Sequence, residues 1–453
     1  MIPIVTPAEM GKIDAAAAEA VDVLVGRAGA AVARGARGML GGTYGRVVNV
    51  IAGKGNNGAD GRVAGRLLAE AGVTVRVFDA ATCPELPPAD LVIDAAYGTG
   101  FHGAWTPPRV GATPVLAVDI PSGVDGLTGD AVDGALKAAA TVTFAALKPG
   151  LLIGAGKGLA GEVTVADIGL DVSSARAHAV ERSDVASWWR PRPAGANKWT
   201  RSVRVVAGSP GMTGAASLVS AAAMRAGSGI VWLTTPGAAH PGAQLVEVVG
   251  KPAAASGWSV DVLADLSRFG AVVIGPGLGL APATVDEARK VIAGAACPIV
   301  VDGDGLTAIA TAQGGAAGAL RERHAATVLT PHDGEFARLS DGPPAADRFA
   351  AVRRLAATTG ATVVLKGPTT LVAEPSGSVL AVTAGDQRLS TAGTGDVLTG
   401  TIGALLASGM AGRQAAAAGT WLHATAASLR PAAGLVASDV VAAIPRAIEL
   451  ALS

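Results

Sequence analysis

The sequence contains few cysteines and few charged residues, and each scarcity excludes a class of protein. Only Cys83 and Cys297 occur among 453 residues, and they are far apart. This excludes a disulfide framework and the paired cysteines of a structural zinc site. Basic and acidic residues number 36 each, so the formal net charge is zero. Charge therefore gives no general argument for binding nucleic acid or an anionic membrane surface.

Long apolar segments are also missing, although hydrophobic residues make up 50% of the chain and charged residues only 16%. The uncharged run Val205–Met224 is interrupted by glycine and proline, and Val397–Gly412 is too short to span a bilayer comfortably. We expect no membrane segment. The N-terminal sequence MIPIVTPAEMGKID lacks the charged and apolar regions of a signal peptide, so we expect a cytoplasmic protein.

The most informative stretch is TAGTGDVLTG, residues 391–400. Three small residues, Gly393, Thr394 and Gly395, precede a long uncharged segment that is typical of a buried helix. The N-terminus of such a helix binds anions through its free N–H groups and its dipole. Asp396 would then either cap the helix or accept a proton from a hydroxyl that attacks a phosphate. On this stretch alone both interpretations remain open.

The first half contains a strand, a glycine-rich loop, a helix and a second strand in succession. The strand Val47–Ala52 leads into GKGNNGADGR (53–62), followed by a predicted helix over 63–71 and a strand over 73–78. This arrangement is typical of α/β domains that bind phosphate groups at a helix N-terminus, although its spacing differs from the hydride-transfer fingerprint. Asp60 would either cap the helix or contact a ligand.

Two further predicted strands, DLVIDA (90–95) and VLAVDI (115–120), also end in polar loops. Because the carboxyl ends of parallel strands meet in one crevice, we expect Asn57, Asp94, Asp119 and Ser122 to converge. Such oxygen donors suit an alkali or alkaline-earth cation.

The second half alternates strands and helices again, which predicts a second α/β layer fold. We place the boundary near residue 190, giving domains 1–190 and 191–453. Lys366 would either cradle a phosphate or be solvated at a turn. His332 could be a structural residue of its loop, but its position next to Glu335 and the GPG loop favours a ligand role. Asp302 and Asp304 could bind a metal, but turn formation is the favoured explanation for these two residues.

The first-half motifs GKGNNGADG, DAAYGTG and VDIPSGVD resemble the signatures of NAD(P)H-hydrate epimerase domains, with Ala59 standing where that family usually has glycine. The resemblance implies a Rossmann-like three-layer domain that interconverts the R and S epimers at C6 of the hydrated nicotinamide ring. It makes Asp119 the acid/base candidate and assigns potassium to Asn57, Asp94 and Ser122. The residues implied to bind this substrate are Asn56, Asn57, Gly58, Ala59, Asp60, Gly98, Thr99, Gly100, Phe101, His102, Gly103, Ala104 and Asp119.

The second-half motifs NKW, AGSPGMTGAA, GPGLG, TPHDGEF, KGPTT and AGTGD resemble the ADP-dependent NAD(P)H-hydrate dehydratases of the ribokinase-like superfamily. The resemblance implies that Ala215, Gly277, His332 and Asp396 contact the hydrated dinucleotide, with Asp396 as the catalytic base. Magnesium is the implied cofactor and ADP the implied co-substrate. The residues implied to bind ADP are Lys366, Gly367, Pro368, Thr369, Thr370 and Gly395.

Together the two resemblances imply a bifunctional repair enzyme that epimerises NAD(P)H hydrates and dehydrates the S form with ADP, giving NAD(P)H, AMP and phosphate. We also expect a homo-oligomer. Two alternatives remain: a small-molecule kinase of the ribokinase-like superfamily, such as a vitamin-alcohol or sugar kinase, and a first domain that is a non-catalytic scaffold.

Overall fold

The computed structural model describes residues 1–101, 103–238 and 245–453. The chain forms two compact units, Ile2–Ala177 and His178–Ser453, with Met1 grouped with the second. We call them the N-terminal and C-terminal units. The division falls earlier than the position near residue 190 that fading periodicity predicts. The reason is the short helix Arg182–Trp188, whose Val185 is buried in the core of the C-terminal unit.

The N-terminal unit is built on a six-stranded parallel sheet with the order β3-β2-β4-β5-β6-β7. The chain runs outward from β2 to β3 and then continues from β4 in the opposite direction, so a crevice opens at the carboxyl ends of β2 and β4. The strands are β1 (Ile2–Ile4), β2 (Val47–Ala52), β3 (Thr74–Asp79), β4 (Leu91–Ala95), β5 (Val115–Val118), β6 (Ala140–Phe144) and β7 (Glu162–Ala166). The helices are α1 (Pro7–Ala15), α2 (Val21–Leu40), α3 (Asn56–Glu70) and α4 (Gly154–Leu159).

Helices α2 and α3 cover one face of this sheet, with Val32, Leu68, Val50 and Ile93 in the shared core. On the other face, connecting segments bring Leu86 and other apolar residues onto the strands. Helix α3 begins at Asn56, earlier than the predicted start at residue 63, so the NNGAD segment is helical rather than a loop.

The C-terminal unit has a sheet in which the order β17-β16-β15-β14-β13-β12-β9-β10-β11 is observed. From β15 to β11 the neighbours are parallel, whereas β16 is antiparallel to both of its neighbours. The strands are β8 (Ala177–Ala179), β9 (Ser202–Val206), β10 (Ile230–Thr234), β11 (Val248–Gly250), β12 (Ala271–Ile274), β13 (Ile299–Val301), β14 (Thr327–Leu329), β15 (Thr362–Leu365), β16 (Thr370–Ala373) and β17 (Val379–Val382). The helices are α5 (Arg182–Trp188), α6 (Thr213–Arg225), α7 (Trp258–Asp265), α8 (Pro282–Gly294), α9 (Asp304–Ala310), α10 (Gly315–Leu320), α11 (Asp333–Leu339), α12 (Arg348–Thr359), α13 (Thr394–Ala407), α14 (Gly412–Ser428) and α15 (Ala437–Leu452).

Helix α13 is the buried helix that the uncharged run predicts, and it packs against α6 and α14. Its backbone approaches α6 so closely that a Cβ atom on Gly400 would lie 2.2 Å from the carbonyl oxygen of Val219. Only glycine fits such a contact, and α13 is thereby fixed in place. Within the described part of the chain, no helix is both long enough and apolar enough to cross a membrane.

Candidate active sites

A cavity of about 510 Å³ opens in the N-terminal unit where β2 and β4 end and α3 begins. It brings together many of the residues predicted to bind the substrate. Those that line it are Asn56, Asn57, Asp60, Gly98, Thr99, Gly100, Phe101 and Asp119. Gly58, Ala59, Gly103 and Ala104 are not among its lining residues, and His102 lies outside the described residues.

The start of α3 forms one wall of this cavity. Its N-cap residue, Gly55, provides no side-chain cap, so the first N–H groups of a 15-residue helix are available to an anion. A Cβ atom on Gly58 would lie 2.0 Å from the carbonyl oxygen of Gly53, which explains the glycine at that position. Ala59 is accommodated as an ordinary helical residue, and its N–H donates to the carbonyl oxygen of Gly55 (3.1 Å).

Asp94 and Ser122 contact each other, as predicted, although neither is among the residues that line the cavity. The Asp94 carboxylate is fully buried and accepts hydrogen bonds from the Ser122 hydroxyl (2.6 Å), the Ser122 N–H (2.9 Å) and the Ala96 N–H (3.4 Å). Burial raises the pKa of Asp94, although these three hydrogen bonds act to lower it. Because all three donors are neutral, a nearby cation would stabilise the ionised carboxylate.

The amide of Asn57 lines the cavity, and its side chain approaches Gly98 in the loop after β4. Its Nδ2 atom is buried without a hydrogen-bond partner within the described part of the chain. The oxygen and nitrogen of such an amide are distinguished by their partners, so rotation would present the oxygen instead. Amide, carboxylate and hydroxyl oxygens are the ligands that hard cations prefer, so a potassium site at Asn57, Asp94 and Ser122 stays a prediction.

Asp119 directly follows β5 and has a left-handed backbone conformation (φ 68°), which is strained for a residue other than glycine. Its Oδ1 atom accepts hydrogen bonds from Lys148 Nζ (2.5 Å) and Thr143 Oγ1 (2.9 Å). Lys148 also donates to Thr143 Oγ1 and to the carbonyl oxygen of Phe144. The sequence reasoning missed Lys148, although a lysine at the end of the apolar segment Phe144–Leu147 was a usable signal.

Asp60 lies in the second turn of α3, so it does not cap that helix, and the capping interpretation is wrong. It is 6% exposed and lines the cavity. Burial, and secondarily the negative charge of Asp119, raises the pKa of Asp60 to about 8. At neutral pH this side chain is therefore a neutral carboxylic acid.

In the C-terminal unit, the start of α13 forms the second candidate site. Gly393 is the N-cap residue in a left-handed conformation (φ 89°), and Gly395 and Asp396 lie in the first turn. Asp396 is therefore not the helix cap, which excludes the first of the two interpretations of TAGTGD. The Lys366 ammonium lies 3.6 Å from the position of a Cβ atom on Gly395, so it adds positive charge at the helix N-terminus.

Two acidic residues flank Lys366. Its Nζ atom lies 3.1 Å from Asp302 Oδ1 and 3.4 Å from Glu335 Oε2. Asp302 is 3% exposed, and its Oδ2 atom accepts a hydrogen bond from Thr399 Oγ1 in α13 (2.7 Å). The carbonyl oxygen of Asp302 does close a turn with the N–H of Gly305, as predicted. The sequence reasoning missed that the Asp302 side chain links strand β13 to Lys366 and α13.

The environment of Asp396 favours a proton acceptor at neutral pH. Burial raises the pKa of Asp396 to about 7, with the charges of Asp302 and Glu335 acting in the same direction and Lys366 opposing them. Burial alone would lower the pKa of Lys366, but the same two carboxylates raise it, so Lys366 stays charged. Within the described ranges, no group of three or more His, Cys, Asp or Glu residues forms a metal site.

His332 is the N-cap residue of α11: its Nδ1 atom accepts from the N–H groups of Gly334 (3.0 Å) and Glu335 (3.3 Å). It thus has a structural role that the sequence reasoning gave second place, while its contact with substrate stays a prediction. Asp304 holds the GPGLG loop by accepting from the N–H of Gly279 (2.7 Å).

The remaining predicted residues form two groups. Ala215 and Gly277 are neighbours, since a Cβ atom on Gly277 would lie 3.1 Å from the Cβ atom of Ala215. Gly367, Pro368 and Thr369 form the connection between β15 and β16, and Thr370 begins β16. They directly follow Lys366, so the predicted ADP-binding residues other than Gly395 lie along one segment.

Two family models match the chain. The NAD(P)H-hydrate dehydratase model covers residues 203–446, and the model of the YjeF-related protein N-terminus covers residues 21–87 and 79–150. Among solved structures, the chain resembles the ADP/ATP-dependent NAD(P)H-hydrate dehydratase of Bacillus subtilis, co-crystallised with ATP and Mg²⁺. The two are 28% identical with a TM-score of 0.52, over 59% of this chain and 96% of the other.

Curated relatives match both units. The bifunctional NAD(P)H-hydrate repair enzyme Nnr of Mycobacterium tuberculosis is 38% identical over 83% of this chain and 82% of its own length. The enzyme of the same name from Moorella thermoacetica is 35% identical over 98% of this chain and 96% of its own. With two such relatives and both family models matched, the chain belongs to the family of bifunctional NAD(P)H-hydrate repair enzymes.

Proposed function

We propose that the chain repairs hydrated NAD(P)H in two steps, one in each unit. The N-terminal unit interconverts the R and S hydrates, and the C-terminal unit dehydrates the S hydrate with ADP to give NAD(P)H, AMP and phosphate. The observation that carries the proposal is the position of a partly buried acid, Asp396, in the first turn of a helix whose N-terminus lies beside Lys366. The similarity to repair enzymes along both units supports it.

In the dehydration step, Asp396 accepts the proton of the C6 hydroxyl. Its pKa of about 7 suits a general base at neutral pH. The hydroxyl oxygen then attacks the β-phosphorus of ADP, and the bond to the bridging oxygen breaks to release AMP. The phosphorylated intermediate loses phosphate as the ring nitrogen supplies electrons and C5 loses a proton, which restores the dihydronicotinamide ring.

Lys366 and the N–H groups at the start of α13 stabilise the charge that develops on the transferred phosphoryl group. Mg²⁺ supplies further charge neutralisation when it is bound with the nucleotide. Because the described residues form no dedicated metal cage, we infer that the ion is held mainly by the phosphates, as is common for Mg²⁺.

In the epimerisation step, Asp119 accepts and returns the proton of the C6 hydroxyl while the cavity encloses the ring. Lys148 and Thr143 both bond to Oδ1 of Asp119, which leaves Oδ2 for the substrate. Asn57, Asp94 and Ser122 would hold a potassium ion, which supplies positive charge next to the buried Asp94 carboxylate. Replacement of K⁺ by tetramethylammonium is expected to slow epimerisation alone.

The direct test is recovery of NAD(P)H absorbance from a mixture of R and S hydrates with ADP, Mg²⁺ and K⁺. The wild-type protein should recover all of the coenzyme, Asp396→Ala none, and Asp119→Ala only the S half at first. Consumption of nucleotide without NAD(P)H would instead support the small-molecule kinase. A wild-type reaction that stalls at the S half would support a scaffold role for the first unit.

The homo-oligomer and the cytoplasmic location stay predictions. Sedimentation equilibrium and localisation of the tagged chain would check them.

A further inference from the structure

Among the described residues that line the N-terminal cavity, Asp60 is the acidic residue whose carboxyl is buried and has no partner. It is 6% exposed and lines the cavity, and within the described residues its carboxyl has no hydrogen bond or ion pair. An unpartnered buried carboxyl is costly for the fold, so its retention in a ligand cavity indicates a task there.

Asp119 lines the same cavity but, unlike Asp60, has a cationic partner. The ammonium of Lys148, which is 1% exposed, donates a hydrogen bond to Asp119 Oδ1. The other hydrogen bonds of Lys148 go to Thr143 Oγ1 and to the carbonyl oxygen of Phe144. Asp119, and not Asp60, is therefore the carboxyl that accepts a hydrogen bond from Lys148. The cavity therefore contains one carboxyl that is paired with a cation and one that has no partner, and such a difference in environment is the basis for assigning base and acid roles.

We propose that Asp60 is the general acid of this site: it donates a proton to the ring nitrogen N1 of the hydrated nicotinamide while Asp119 accepts the proton of the C6 hydroxyl. The inference rests on the proposed epimerisation and assigns a second catalytic residue to it.

The proposed step opens and closes the ring. As the hydroxyl proton moves to Asp119, the C6–O bond becomes a carbonyl and the C6–N1 bond breaks. N1 takes the electron pair and receives the proton of Asp60. Rotation about the C5–C6 bond presents the other face of the aldehyde, and N1 attacks it. The N1 proton returns to Asp60 and the Asp119 proton returns to the oxygen, so no co-reactant is needed.

Ring opening also explains how epimerisation stays separate from dehydration. If the C6 hydroxyl left as water, the resulting iminium ion would lose a C5 proton and become the dihydronicotinamide directly. An acid directed at N1 avoids this route, because the oxygen never leaves the carbon. The cavity would thus isomerise the substrate without consuming ADP.

The test measures conversion of purified R hydrate to S hydrate by chromatography, for the full chain and for Asp60→Asn. Asparagine is isosteric but cannot serve as an acid, so kcat should fall about 100-fold or more, with KM changed less than about threefold. Glu70→Gln is the matched control, because Glu70 is an exposed carboxylate on the same helix. This variant should epimerise at the wild-type rate.

The pH profile separates an acid from a merely structural residue. The wild-type kcat should fall above pH about 8 as Asp60 loses its proton, and Asp60→Asn should lack this fall. Asp60→Glu, which keeps a carboxyl, should retain a basic limb at a reduced rate. The other titratable groups that line the cavity are Asp14, Lys54, Tyr97, Asp119 and Lys148.

Thermal unfolding of the N-terminal unit shows whether the variant is folded. The folded state keeps a proton on Asp60 up to pH about 8, whereas the ordinary pKa is 3.8. The stability that depends on protonated Asp60 is therefore fully present below pH 3.8, and it is lost progressively as the pH rises towards 8. Asp60→Asn removes this loss and should unfold at a higher temperature than wild type at pH 8.

Three outcomes overturn the acid role of Asp60: wild-type kcat in Asp60→Asn, an unchanged basic limb, or a rise in KM alone. Failure of the proposed function is a different result, because the wild-type protein itself would then leave pure R hydrate unconverted.

Discussion

The two candidate sites use similar parts, a helix N-terminus, a lysine and several carboxyls, but they use the lysine differently. In the N-terminal unit, Lys148 bonds directly to the proposed base Asp119. In the C-terminal unit, Lys366 lies between Asp302 and Glu335, and these two residues, rather than the proposed base Asp396, neutralise it. The lysine thus contacts the proposed base in the N-terminal unit but contacts two other carboxylates in the C-terminal unit.

This difference matches the two reactions. In the proposed epimerisation, the base Asp119 accepts a hydrogen bond from a lysine ammonium. The proposed base Asp396 is partly buried and has no hydrogen bond from Lys366, and burial raises the pKa of Asp396 to about 7, which suits a general base at neutral pH. Lys366 then remains at the helix N-terminus, where it can meet a phosphate.

The largest expected effect comes from Asp396→Asn. Without the base, dehydration of the S hydrate should fall by about 1,000-fold, while epimerisation in the other unit is unchanged. Asp261→Asn is the matched control, because Asp261 is also in the first turn of a helix of this unit but is exposed. A dehydration rate within about tenfold of wild type would contradict the assignment of the base.

The next largest effect concerns the buried pair of Lys148 and Asp119. Lys148→Met and Asp119→Asn should each lower the free energy of unfolding of the N-terminal unit by about 3–5 kcal/mol, because each leaves a buried charge unpaired. The double variant should lose less than the sum of the two. Urea unfolding of the wild type, the two single variants and the double variant gives the four free energies of this double-mutant cycle.

Arg46→Met is the control for that cycle. Arg46 forms an ion pair with Asp90 in the same unit, but both side chains are partly exposed, so the loss should be below about 1 kcal/mol. Additive effects at Lys148 and Asp119 would show that their contact contributes nothing.

A smaller effect should appear in the pH dependence of dehydration. The value of kcat/KM should rise with pH as Asp396 ionises and level off above pH about 7. Asp302→Asn removes a negative charge that raises the pKa of Asp396, so the midpoint should move to lower pH. Asp286→Asn, an exposed change on α8, should leave the midpoint in place. A midpoint that stays or rises in Asp302→Asn would contradict this electrostatic coupling.

The smallest effect is expected for Thr399→Val. Thr399 donates to Asp302, so its loss should destabilise the C-terminal unit by about 1.5 kcal/mol more than Thr401→Val does. Thr401 is equally buried but bonds only to a carbonyl oxygen of its own helix. Equal losses, measured by urea unfolding, would show that the Thr399–Asp302 bond adds no stability.

Much of the fold follows from the sequence, because short apolar strands precede each glycine-rich loop in both units. The start of α3 cannot be predicted from the sequence, because Asn56, Asn57 and Gly58 favour turns over helices. This segment is helical because its glycines pack directly against neighbouring chain: a Cβ atom on Gly61 would lie 2.4 Å from that of Ala95. No pattern in the neighbouring sequence predicts such a contact between distant segments.

The sequence predicts candidate residues that share one segment, and it predicts the contact of Asp94 with Ser122 at two strand ends, but it does not predict the contacts of Asp302 or Lys148. Asp396 stands out because it follows Gly393–Gly395 directly. The contact of Asp302 with Thr399 joins residues 97 positions apart, and that of Asp302 with Lys366 joins residues 64 apart. No spacing rule links such residues, so only the folded chain shows that Asp302 and Lys148 belong to the sites.

The close crossing of α13 and α6 makes the dehydratase site mechanically stiff. Gly400 lies one turn, about 6 Å, beyond Asp396 along the helix axis, and there the backbones of the two helices touch. Side chains can rotate to absorb a displacement, but touching backbones cannot. A single methyl group at position 400 would therefore move the helix as a body and displace Asp396, the proposed base, together with it.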